Sequence, residues 1–501
     1  MPVVQLSKFD GGHAEDIRTF ATDQCEKSLN FDVFTNPHKL IPYGDSVAET
    51  TATDTMADIG ISDIDYNLIS SSYLLRGIGN ETSASSSPTF WSKSAITGAI
   101  NWSSDAVGTG GAFQKGSGVI FNDKFFALSY TGGTFTLNRY NSAGSVSSIG
   151  TITSSSTFLA KPIVHPSDKK LYGVLGVAIF QWDGSTLNKT GSGISLTLPS
   201  NYECTSLTDW GDYLAITMRP LRGNGNSVTY LWDRQLTLVD ANSIIDWGEG
   251  NLVITENLNN VLISVMLPQN TNSTAITNKI RVKGWSGGAV ETLKSLTILN
   301  TQSCNGKAKA KSENKLYFGL NNDYATYVFG KNKSGNWILT QDRFYNNGNI
   351  IGSSLYALQM IGDVLWRGFS TASSAYVLMR SLLNSGETMS YNSTSIYKTT
   401  INPSMPLGDR YKNKQLEAVQ ISYTGKTSGT IALKYSVDGS SMTSIISEST
   451  TAIEDVKEAT NETSTNNALL SGREFQFQIE STGGVEIKEI RYKYSILPTT
   501  I

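Results

Sequence analysis

Short runs of β-forming residues fill the chain from about residue 66 to residue 384. Each run alternates apolar and polar positions, or is apolar throughout, over about four to eight residues, which is the pattern of a strand. Gly, Asn, Asp and Ser break the runs, and these residues favour tight turns. No window of about twelve residues shows the apolar stripe of an amphipathic helix. The pattern therefore predicts an all-β fold.

One pair of strands recurs along this part of the chain. The first member is apolar, as in NDKFFALSY and GDYLAITM, and the second is often aromatic, as in VAIFQWDG and VTYLWDRQ. Repeats of about four strands and 40 to 50 residues are typical of β-propeller blades. Seven apolar pairs, about 42 to 55 residues apart, mark the repeats: Tyr73-Leu74, Phe125-Phe126, Leu171-Tyr172, Tyr213-Leu214, Val261-Leu262, Leu316-Tyr317 and Val364-Leu365.

The repeats predict a β-propeller of about seven blades over residues 61–400. A single four-stranded sheet cannot bury both of its faces, whereas blades packed around an axis bury nearly all of them. Two sandwich domains with coincidental spacing are the alternative. Trp182-Asp183 and Trp232-Asp233 do not indicate WD40 repeats, because the His-bearing turn of those repeats is missing.

The pattern changes near residue 401. INPSMPLGDRYKNKQ carries two prolines and a charged cluster, which predicts a linker. Stricter alternation follows: Phe475, Phe477 and Ile479 share one face of a strand, as expected for a half-buried antiparallel strand. We therefore expect a jelly-roll-like β-sandwich over residues 401–501.

Two shorter features lie inside this predicted sandwich. SVDGSSMTSI shares Ser436, Asp438 and Gly439 with the Asp-box of sialidase-like propellers, but it lacks the closing tryptophan. Asp438-Gly439 is therefore interpreted as a hairpin turn. The acidic, polar residues 447–467 predict a mobile loop.

Composition limits the possible partners. Charged residues make up 17% of the chain, and the net charge of −3 offers no electrostatic basis for binding nucleic acid or an anionic membrane. We expect the widely spaced Cys25, Cys204 and Cys304 to be reduced thiols. MPVVQLSKFDGG lacks the apolar run of a signal peptide, and no stretch is apolar enough to span a bilayer, so we expect synthesis in a cytoplasm without membrane insertion.

Candidate chemistry is sparse. His13, His38 and His165 are the only histidines and lack metal-ligand spacing. No nucleophile elbow, Walker loop or dinucleotide-binding glycine motif occurs. We therefore predict no catalytic residue, no cofactor site and no metal site, and no enzyme activity.

Glycosidase chemistry needs only two suitably placed carboxylates, so motifs do not exclude it. The candidates at predicted strand ends are Asp209, Asp212, Asp233 and Asp246. Aspartates at such turns mostly cap hairpins. A sialidase-like site also requires converging arginines, and Arg139, Arg219, Arg234, Arg281 and Arg367 are scattered over the repeats.

Two further sets of residues suit binding. Asp54, Asp58, Asp63 and Asp65 could hold Ca²⁺, but they lack the glycine and terminal glutamate of an EF-hand loop, which favours a solvated linker. Aromatic rings can stack on sugars or anchor a protein interface, although most rings in a propeller pack between blades. The candidate rings are Trp91, Trp102, Trp182, Trp247 and Trp285.

The order of these parts resembles a known family. An amino-terminal segment rich in glycine and aspartate precedes the repeats, and KNKQLEAVQISYTGKTSGTIALKYSVDG lies in the final part. The chain is similar to virion structural proteins of tailed bacteriophages, from the tail or neck, that carry a β-propeller. The amino-terminal pattern of that family is matched by Phe9, Gly11, Gly12, Asp16, Asn30, Phe31, Asp32, Leu40, Pro42 and Gly44.

The resemblance implies a non-enzymatic role in particle assembly and in host attachment. The implied partners are other virion proteins of the tail, neck or portal region, copies of the chain in a symmetric ring, and a host surface glycan or protein. The implied location is the virion, assembled in the bacterial cytoplasm. A glycan-binding or glycan-cleaving, sialidase-like propeller is the alternative, and a bacterial surface adhesin is a third interpretation.

Residues 1–60 are predicted to form an extended arm and linker along neighbouring subunits. Its apolar side chains are spaced for strand-like or groove docking and not for a core of their own. The predicted interface residues are Phe9, Gly11, Gly12, Ile17, Phe20, Leu29, Phe31, Phe34 and Pro42.

Overall fold

A computed structural model describes most of the chain, and β-strands dominate it. The described residues are 2–9, 11–14, 24–44, 47–48, 75–79, 89–93, 103–107, 112–114, 116–122, 124–140, 146–154, 158–221, 225–267, 279–297, 303–312, 314–321, 325–344, 354–361, 364–370, 376–382, 394–425, 428–451, 453–460 and 471–498. Within these ranges there are 41 strands and one short 3-10 helix. The prediction of an all-β chain is therefore confirmed.

The strands are numbered in the order in which they occur along the chain. The first thirteen are β1 (Val3–Leu6), β2 (Cys25–Leu29), β3 (Phe31–Asp32), β4 (Ile41–Pro42), β5 (Val47–Ala48), β6 (Leu75–Gly79), β7 (Thr89–Lys93), β8 (Ser103–Val107), β9 (Ala112–Phe113), β10 (Val119–Phe121), β11 (Lys124–Thr131), β12 (Thr134–Tyr140) and β13 (Val146–Thr153). The next thirteen are β14 (Ile163–Val164), β15 (Leu171–Leu175), β16 (Ala178–Trp182), β17 (Leu187–Thr190), β18 (Gly193–Ile194), β19 (Tyr202–Trp210), β20 (Tyr213–Pro220), β21 (Asn226–Trp232), β22 (Ser243–Glu249), β23 (Asn251–Leu258), β24 (Val261–Leu267), β25 (Lys279–Trp285) and β26 (Glu291–Thr297). The remainder are β27 (Ser303–Ser312), β28 (Lys315–Asn321), β29 (Ala325–Lys331), β30 (Trp337–Phe344), β31 (Ser354–Ile361), β32 (Val364–Ser370), β33 (Tyr376–Leu382), β34 (Ser395–Thr399), the 3-10 helix (Leu407–Asp409), β35 (Lys414–Thr424), β36 (Thr430–Val437), β37 (Thr443–Ser449), β38 (Glu454–Thr460), β39 (Ser471–Gly472), β40 (Phe475–Thr482) and β41 (Glu486–Ile496).

The chain divides into two compact units. The terminal unit comprises Met1–Asp45, Ala325–Asn346 and Gly386–Ile501, and the repeat unit comprises Ser46–Tyr324 and Asn347–Ser385. This grouping differs from the expected boundaries at residues 60 and 400, because the amino-terminal segment shares a unit with the carboxy-terminal strands.

The repeat unit is a series of antiparallel meanders. Strands β10 to β13, β19 to β22 and β23 to β26 each form sheets in sequence order, and β14 to β18 form another whose last pair is parallel. Strands β6, β7 and β8 form a sheet, and β31, β32 and β33 form one that β5 completes. The six described apolar pairs of the sequence repeat all lie at the start of the second strand of a meander, in β11, β15, β20, β24, β28 and β32. The first pair, Tyr73-Leu74, lies outside the described residues.

Successive sheets of the repeat unit pack face to face through apolar clusters. Phe180 lies in the cluster between the β10–β13 sheet and the β14–β18 sheet, and Trp232 lies between the β14–β18 sheet and the β19–β22 sheet. Trp247 lies between the β19–β22 sheet and the β23–β26 sheet. These rings are nearly or fully buried, so apolar burial on both faces of each sheet stabilises the stack.

The first strands of the meanders approach one another closely. Strand β19 packs on β23, and β23 packs on β27. Gly306 of β27 is buried where the backbone oxygens of Leu159, Thr205 and Val253 converge. No side chain fits at that point, so glycine allows four chain segments to meet there.

The terminal unit contains two larger sheets. Strands β1, β41, β35 and β38 follow in that order, with β39 also paired to β35. In the second sheet, β29, β30, β2, β34, β40, β36 and β37 follow in order. The inward positions of β40 are Phe475, Phe477 and Ile479, all fully buried, which confirms the predicted alternation.

The amino-terminal segment is built into both sheets of this unit. Strand β1 pairs with β41, and β2 pairs with β34 and β30. Phe9 and Phe31 are fully buried, and the Phe9 ring packs edge-on against Tyr397 at 5.5 Å between ring centroids. The expectation of an arm without a core of its own is therefore wrong, because the anchors belong to a core that the same chain supplies.

The predicted interface residues share this buried position wherever they are described. Leu29 and Phe34 are buried with Phe9 and Phe31, and so are Gly11, Gly12 and Pro42. Ile17 and Phe20 lie outside the described residues. A contact of this segment with another chain stays a prediction.

The segment expected to be a linker, at residues 401–415, is a hydrogen-bonded loop. The Lys414 ammonium is fully buried and donates to the carbonyl oxygens of Asp409 at 2.8 Å, Arg410 at 3.2 Å and Lys412 at 2.6 Å. Asn402 fixes the start of the loop by donating to the Arg410 carbonyl and accepting from the Phe475 amide. The lysine thus gives three carbonyls of the loop a charged donor.

Two further expectations for the terminal unit have clear outcomes. Asp438-Gly439 forms the turn between β36 and β37, with both residues at positive φ, as predicted. The acidic residues 447–467 are not simply a loop, because Glu454–Thr460 forms strand β38 and pairs with β35. Residues 461–470 lie outside the described residues.

Replacing Lys414 by methionine is expected to destabilise the terminal unit by about 3 kcal/mol, because three carbonyls lose a charged donor. Lys412→Met is the matched control: the Lys412 side chain is exposed and pairs only with Asp409, so its loss costs less than about 1 kcal/mol. Urea unfolding followed by circular dichroism measures both. Equal midpoints for the two variants would show that the buried ammonium does not hold the loop.

Candidate functional site

Charged side chains gather where the first strands of the meanders meet. Strand β27 carries Lys307, Lys309 and Lys311 at alternate positions, with Ala308 and Ala310 buried between them. Successive side chains of a strand point to opposite faces, so the alanines allow close packing on one face and the lysines project from the other. We call Lys161, Asp209, Glu256, Lys309 and Lys311 the central charge cluster.

Glu256 and Lys309 form the buried core of this cluster. Their side chains meet at 2.9 Å, and Glu256 is only 8% exposed and Lys309 7%. Lys309 also donates to the carbonyls of Leu207 at 2.7 Å and Thr255 at 2.8 Å. The Thr208 hydroxyl donates to Glu256 at 2.9 Å. The pair therefore ties β19, β23 and β27 together.

Lys311 and Asp209 extend the cluster toward the ends of the strands. Lys311 Nζ lies 3.1 Å from Glu256 and 3.9 Å from Asp209. Asn257 donates to Asp209 at 3.5 Å. Glu256 thus forms ion pairs with both lysines, whereas Asp209 is more exposed to solvent and lies farther from Lys311.

Lys161 approaches the cluster from the segment before β14. Its ammonium donates to the side-chain oxygen of Gln359 on β31, and its side chain remains partly exposed. Protein atoms surround the ammonium, and this desolvation, with a smaller contribution from the Lys309 charge, lowers the pKa of Lys161 to about 8.

The central charge cluster is better suited to holding fixed charges than to transferring protons. Burial alone would raise the pKa of Glu256, but the charges of Lys309 and Lys311 and the hydrogen bonds from Lys309 and Thr208 lower it to about 2. A carboxylate held ionised in this way is a poor general acid or base near neutral pH. Among the described residues, the cluster therefore favours a structural or anion-facing role.

The four candidate aspartates do not come together. Asp233 accepts from the Gln235 amide and from the Asn242 side chain, and Asp246 accepts from the Gly248 amide and from Asn226. Asp212 accepts from Ser167. Asp209 is thus the only one of the four in the central charge cluster. The turn-capping interpretation holds for Asp233, whereas Asp246 lies inside β22 and accepts from the Gly248 amide of the same strand.

Three of the five candidate arginines have separate partners. Arg219 pairs with Glu203 on the neighbouring strand at 2.7 Å, and Arg234 pairs with Asp168 at 2.8 Å. Arg367 is fully buried and donates to Ser381. Among the described residues these arginines do not share a carboxylate, as the sialidase-like interpretation would require.

All three histidines bind backbone carbonyls. His13 Nδ1 lies 2.9 Å from the Glu26 oxygen, His38 Nδ1 lies 3.2 Å from the Ser7 oxygen, and His165 Nε2 lies 3.0 Å from the Tyr213 oxygen. No group of His, Cys, Asp or Glu among the described residues is arranged to hold a metal ion. Asp54, Asp58, Asp63 and Asp65 lie outside those residues.

His13 makes the stability of the terminal unit depend on pH. Burial lowers the pKa of His13 to about 4, so the unfolded chain takes up this proton near pH 6.5 before the folded chain does. Stability is then lost as the pH falls from about 6.5 to 4, by about 3 kcal/mol at most. The His13→Gln variant loses this part of the pH dependence, whereas His38→Gln keeps it. Unfolding free energies at several pH values measure the slope, and identical slopes in all three proteins would contradict the assignment.

Cys25 and Cys204 are buried thiols outside any disulfide, as expected. Burial raises the pKa of the Cys204 thiol to about 12, so it is inert as a nucleophile. The side chain of Cys304 lies outside the described residues.

Two of the candidate tryptophans are buried between sheets, and a third is half-buried. Trp182 and Trp247 are buried between sheets. Trp285 is half-buried and lies 5.4 Å from the ring of Trp210, between centroids. No local pattern in the sequence marks Trp210, because it faces Trp285 only through the packing of two different sheets. Trp102 and the side chain of Trp91 are outside the described residues.

The residues of the phage-like amino-terminal pattern have structural roles. Gly12 has φ +68°, and a side chain there would lie 2.9 Å from Ile338 Cβ. Asn30, also at positive φ, donates to Ser395, and Asp32 accepts from the amides of Phe34 and Thr35.

Leu40 completes this pattern by pairing with Ile487 through two backbone hydrogen bonds of 2.9 and 3.0 Å. The pattern therefore specifies how the amino-terminal segment closes onto β30, β34 and β41. Asp16 lies outside the described residues.

Comparisons with known proteins give only distant likenesses. No family model matches, and no curated protein matches the sequence significantly. Solved structures that resemble the chain include an exo-β-1,3-galactanase from Phanerochaete chrysosporium at 10% identity, covering 91% of this chain and 100% of that one with a TM-score of 0.31.

Two of the similar structures are propeller domains. One is the WD40 domain of Toxoplasma gondii coronin, at 8% identity, covering 72% of this chain and 90% of that one with a TM-score of 0.43. The other is the β-propeller domain of the Trilobed protease from Pyrococcus furiosus, at 9% identity, covering 66% and 96% with a TM-score of 0.39. At these scores and identities, neither likeness establishes an activity for the chain.

Proposed function

We propose that the chain is a non-enzymatic structural protein of a tailed-bacteriophage virion, in the tail or neck. One observation carries the proposal: residues of the phage-like amino-terminal pattern hold that segment in the terminal unit. Gly12, Asn30, Asp32 and Leu40 each fix the amino-terminal segment in the terminal unit. The similarity to the phage proteins therefore rests on residues that each have a structural role in this chain.

The chemistry of the described residues is consistent with a structural role. Asp233 caps a turn, Asp246 accepts from the Gly248 amide inside β22, and Glu256 is held between two lysines. His13 and His165 are buried against backbone carbonyls. Carboxylates and imidazoles engaged in this way contribute to stability and have little freedom to transfer protons.

The architecture that we propose is a propeller of about seven blades followed by a jelly-roll-like sandwich. The meanders of the repeat unit and the apolar clusters between successive sheets support the blades. The two sheets of the terminal unit, with buried Phe475 and Phe477, support the sandwich. Rigid β-surfaces of this kind suit ring assembly and host attachment.

A phage with an early stop codon in this reading frame tests the role. The proposal expects particles that lack a tail or neck component and do not infect, with infectivity restored when the intact chain is supplied from a plasmid. Normal yields of infectious particles without the chain would overturn the proposal.

Glycan recognition is the second candidate, and the Trp210–Trp285 pair favours it. Two half-buried rings lie 5.4 Å apart between centroids and are tilted by 53° to each other, and Asp209 directly precedes Trp210 at the end of β19. Aromatic faces with adjacent polar groups are a common arrangement for stacking sugars.

A glycan array tests this candidate. If the rings stack on a sugar, Trp285→Ala weakens binding by about tenfold, a loss of roughly 1.4 kcal/mol. Tyr411→Ala is the control, because Tyr411 is 74% exposed but belongs to the terminal unit. If the unaltered protein binds no glycan, glycan recognition is ruled out. If the protein releases reducing sugar from a bound glycan, the function is that of a glycosidase.

A further inference from the structure

The central charge cluster holds more positive than negative charge. Lys161, Lys309 and Lys311 contribute three ammonium groups, and Asp209 and Glu256 contribute two carboxylates, which leaves an excess of one positive charge among these groups. Charges that protein atoms enclose are poorly screened by salt, so this excess raises the local potential.

Lys161 has the least compensated charge in this set. Lys309 meets Glu256 at 2.9 Å and two backbone carbonyls, and Lys311 meets Glu256 at 3.1 Å. Lys161 donates to the neutral amide oxygen of Gln359, and among the described residues no carboxylate forms an ion pair with it. An ammonium with three donors and one neutral acceptor retains capacity for a further acceptor.

The Lys161 side chain is partly exposed, although protein atoms surround its ammonium, whereas Lys309 and Glu256 are buried. An acceptor bound by Lys161 would leave the Glu256–Lys309 ion pair intact. Desolvation and the charge of Lys309 both disfavour the protonated form of Lys161, and the negative charge of a bound anion would offset this cost.

We propose that Lys161, supported by Lys309 and Gln359, binds a small oxyanion at the centre of the repeat unit. The ligand class is a single carboxylate, sulfate or phosphate group. The ammonium supplies a charge-assisted hydrogen bond, the Gln359 amide supplies a neutral donor, and the Lys309 charge adds attraction from behind. The site is independent of the proposed virion role, because it needs only the repeat unit.

Isothermal titration calorimetry of the full chain in a chloride background tests the site. The titrants are sulfate, phosphate, acetate and glucuronate at matched ionic strength. We expect saturable binding of one anion per chain for at least one titrant, with affinity in the range of about 1 mM or tighter. A preference for glucuronate identifies a sugar carboxylate as the source, and a preference for sulfate or phosphate identifies a free inorganic anion.

Lys161→Met should weaken this binding at least tenfold. The control is Lys189→Met, because Lys189 belongs to the same unit and donates to the Thr151 carbonyl. Equal affinity in the Lys161→Met variant and the unaltered protein would overturn the site, as would an absence of saturable heat with all four anions.

A second measurement uses only the unaltered protein, so it does not depend on the folding of a variant. Acetylation of lysines by an activated ester is followed by peptide mass spectrometry with and without the preferred anion. We expect the anion to slow acetylation of Lys161 several-fold and to leave Lys189 unchanged. The same rate at Lys161 in both conditions would contradict the proposal.

Discussion

Gly306→Ala is expected to destabilise the repeat unit by more than about 4 kcal/mol, or to prevent its folding. An added Cβ would overlap the carbonyl oxygen of Thr205 and lie 2.7 Å from that of Val253 and 3.1 Å from that of Leu159. Backbone atoms of three different segments cannot move aside as a flexible side chain can, so the first strands must separate. Thermal unfolding followed by tryptophan fluorescence measures the loss.

Gly288→Ala is the matched control for this change. Gly288 belongs to the same unit, and an added Cβ there meets no atom within 4 Å. We expect its melting temperature to stay close to that of the unaltered chain, since surface substitutions change stability by about 0.5 kcal/mol or less. Equal melting temperatures for the two variants would show that the first strands do not converge on Gly306.

Glu256→Gln is expected to cost about 3 to 5 kcal/mol at pH 7, because it leaves Lys309 buried without its counter-charge. Lys311 loses its closer carboxylate in the same change. The surface-proximal pair is the control: Glu203→Gln breaks the contact with Arg219 and costs less than about 1 kcal/mol. Urea unfolding of each variant gives the two values.

The pH dependence of the Glu256 effect has a definite sign. The folded pKa of Glu256 is about 2, below the ordinary value of 4.5, so its contribution is complete above pH 4.5 and is lost as the pH falls toward 2. The difference between Glu256→Gln and the unaltered chain should therefore shrink over that interval. A difference that stays constant from pH 7 to pH 3 would contradict the buried ion pair.

Strand positions were predictable from sequence because their signals are local. The pairs Phe125-Phe126, Tyr213-Leu214 and Val261-Leu262 fall at the start of the second strands, where a polar turn precedes an apolar run. The turn at Asp438-Gly439 was predictable for the same reason, since its backbone requires positive φ at both residues.

The partners of the strands were not predictable. The alternation of apolar and polar residues identifies the buried face of a strand, but it does not identify the residues that pack on that face. The apolar spacing around Phe9 predicts an anchor for another chain, whereas the partner of Phe9 is Tyr397 of the same chain. Strand β1 likewise pairs with β41, nearly the whole chain away in sequence. The apolar spacing is the same in both cases: in an amino-terminal segment without a core of its own, and in one that completes a distant sheet.

The central charge cluster was missed for a related reason. KAKAKS carried a usable signal, because alternating lysine and alanine in a strand place small residues on one face and charges on the other. The partner Glu256 lies about 50 residues earlier, in a different sheet, and nothing in the sequence near it marks it as buried. Lys161 comes from a third segment, which only the packing of the first strands brings close.

The central claim is that the chain is a structural component of a phage particle. Quantitative mass spectrometry of gradient-purified particles, from cells infected by the phage that encodes the chain, tests it most directly. We expect the chain in intact particles at a fixed copy number that matches a symmetric ring, and in constant ratio to the other tail or neck proteins across the gradient. Absence of the chain from purified particles, with the protein remaining in the unassembled fraction, would contradict the claim.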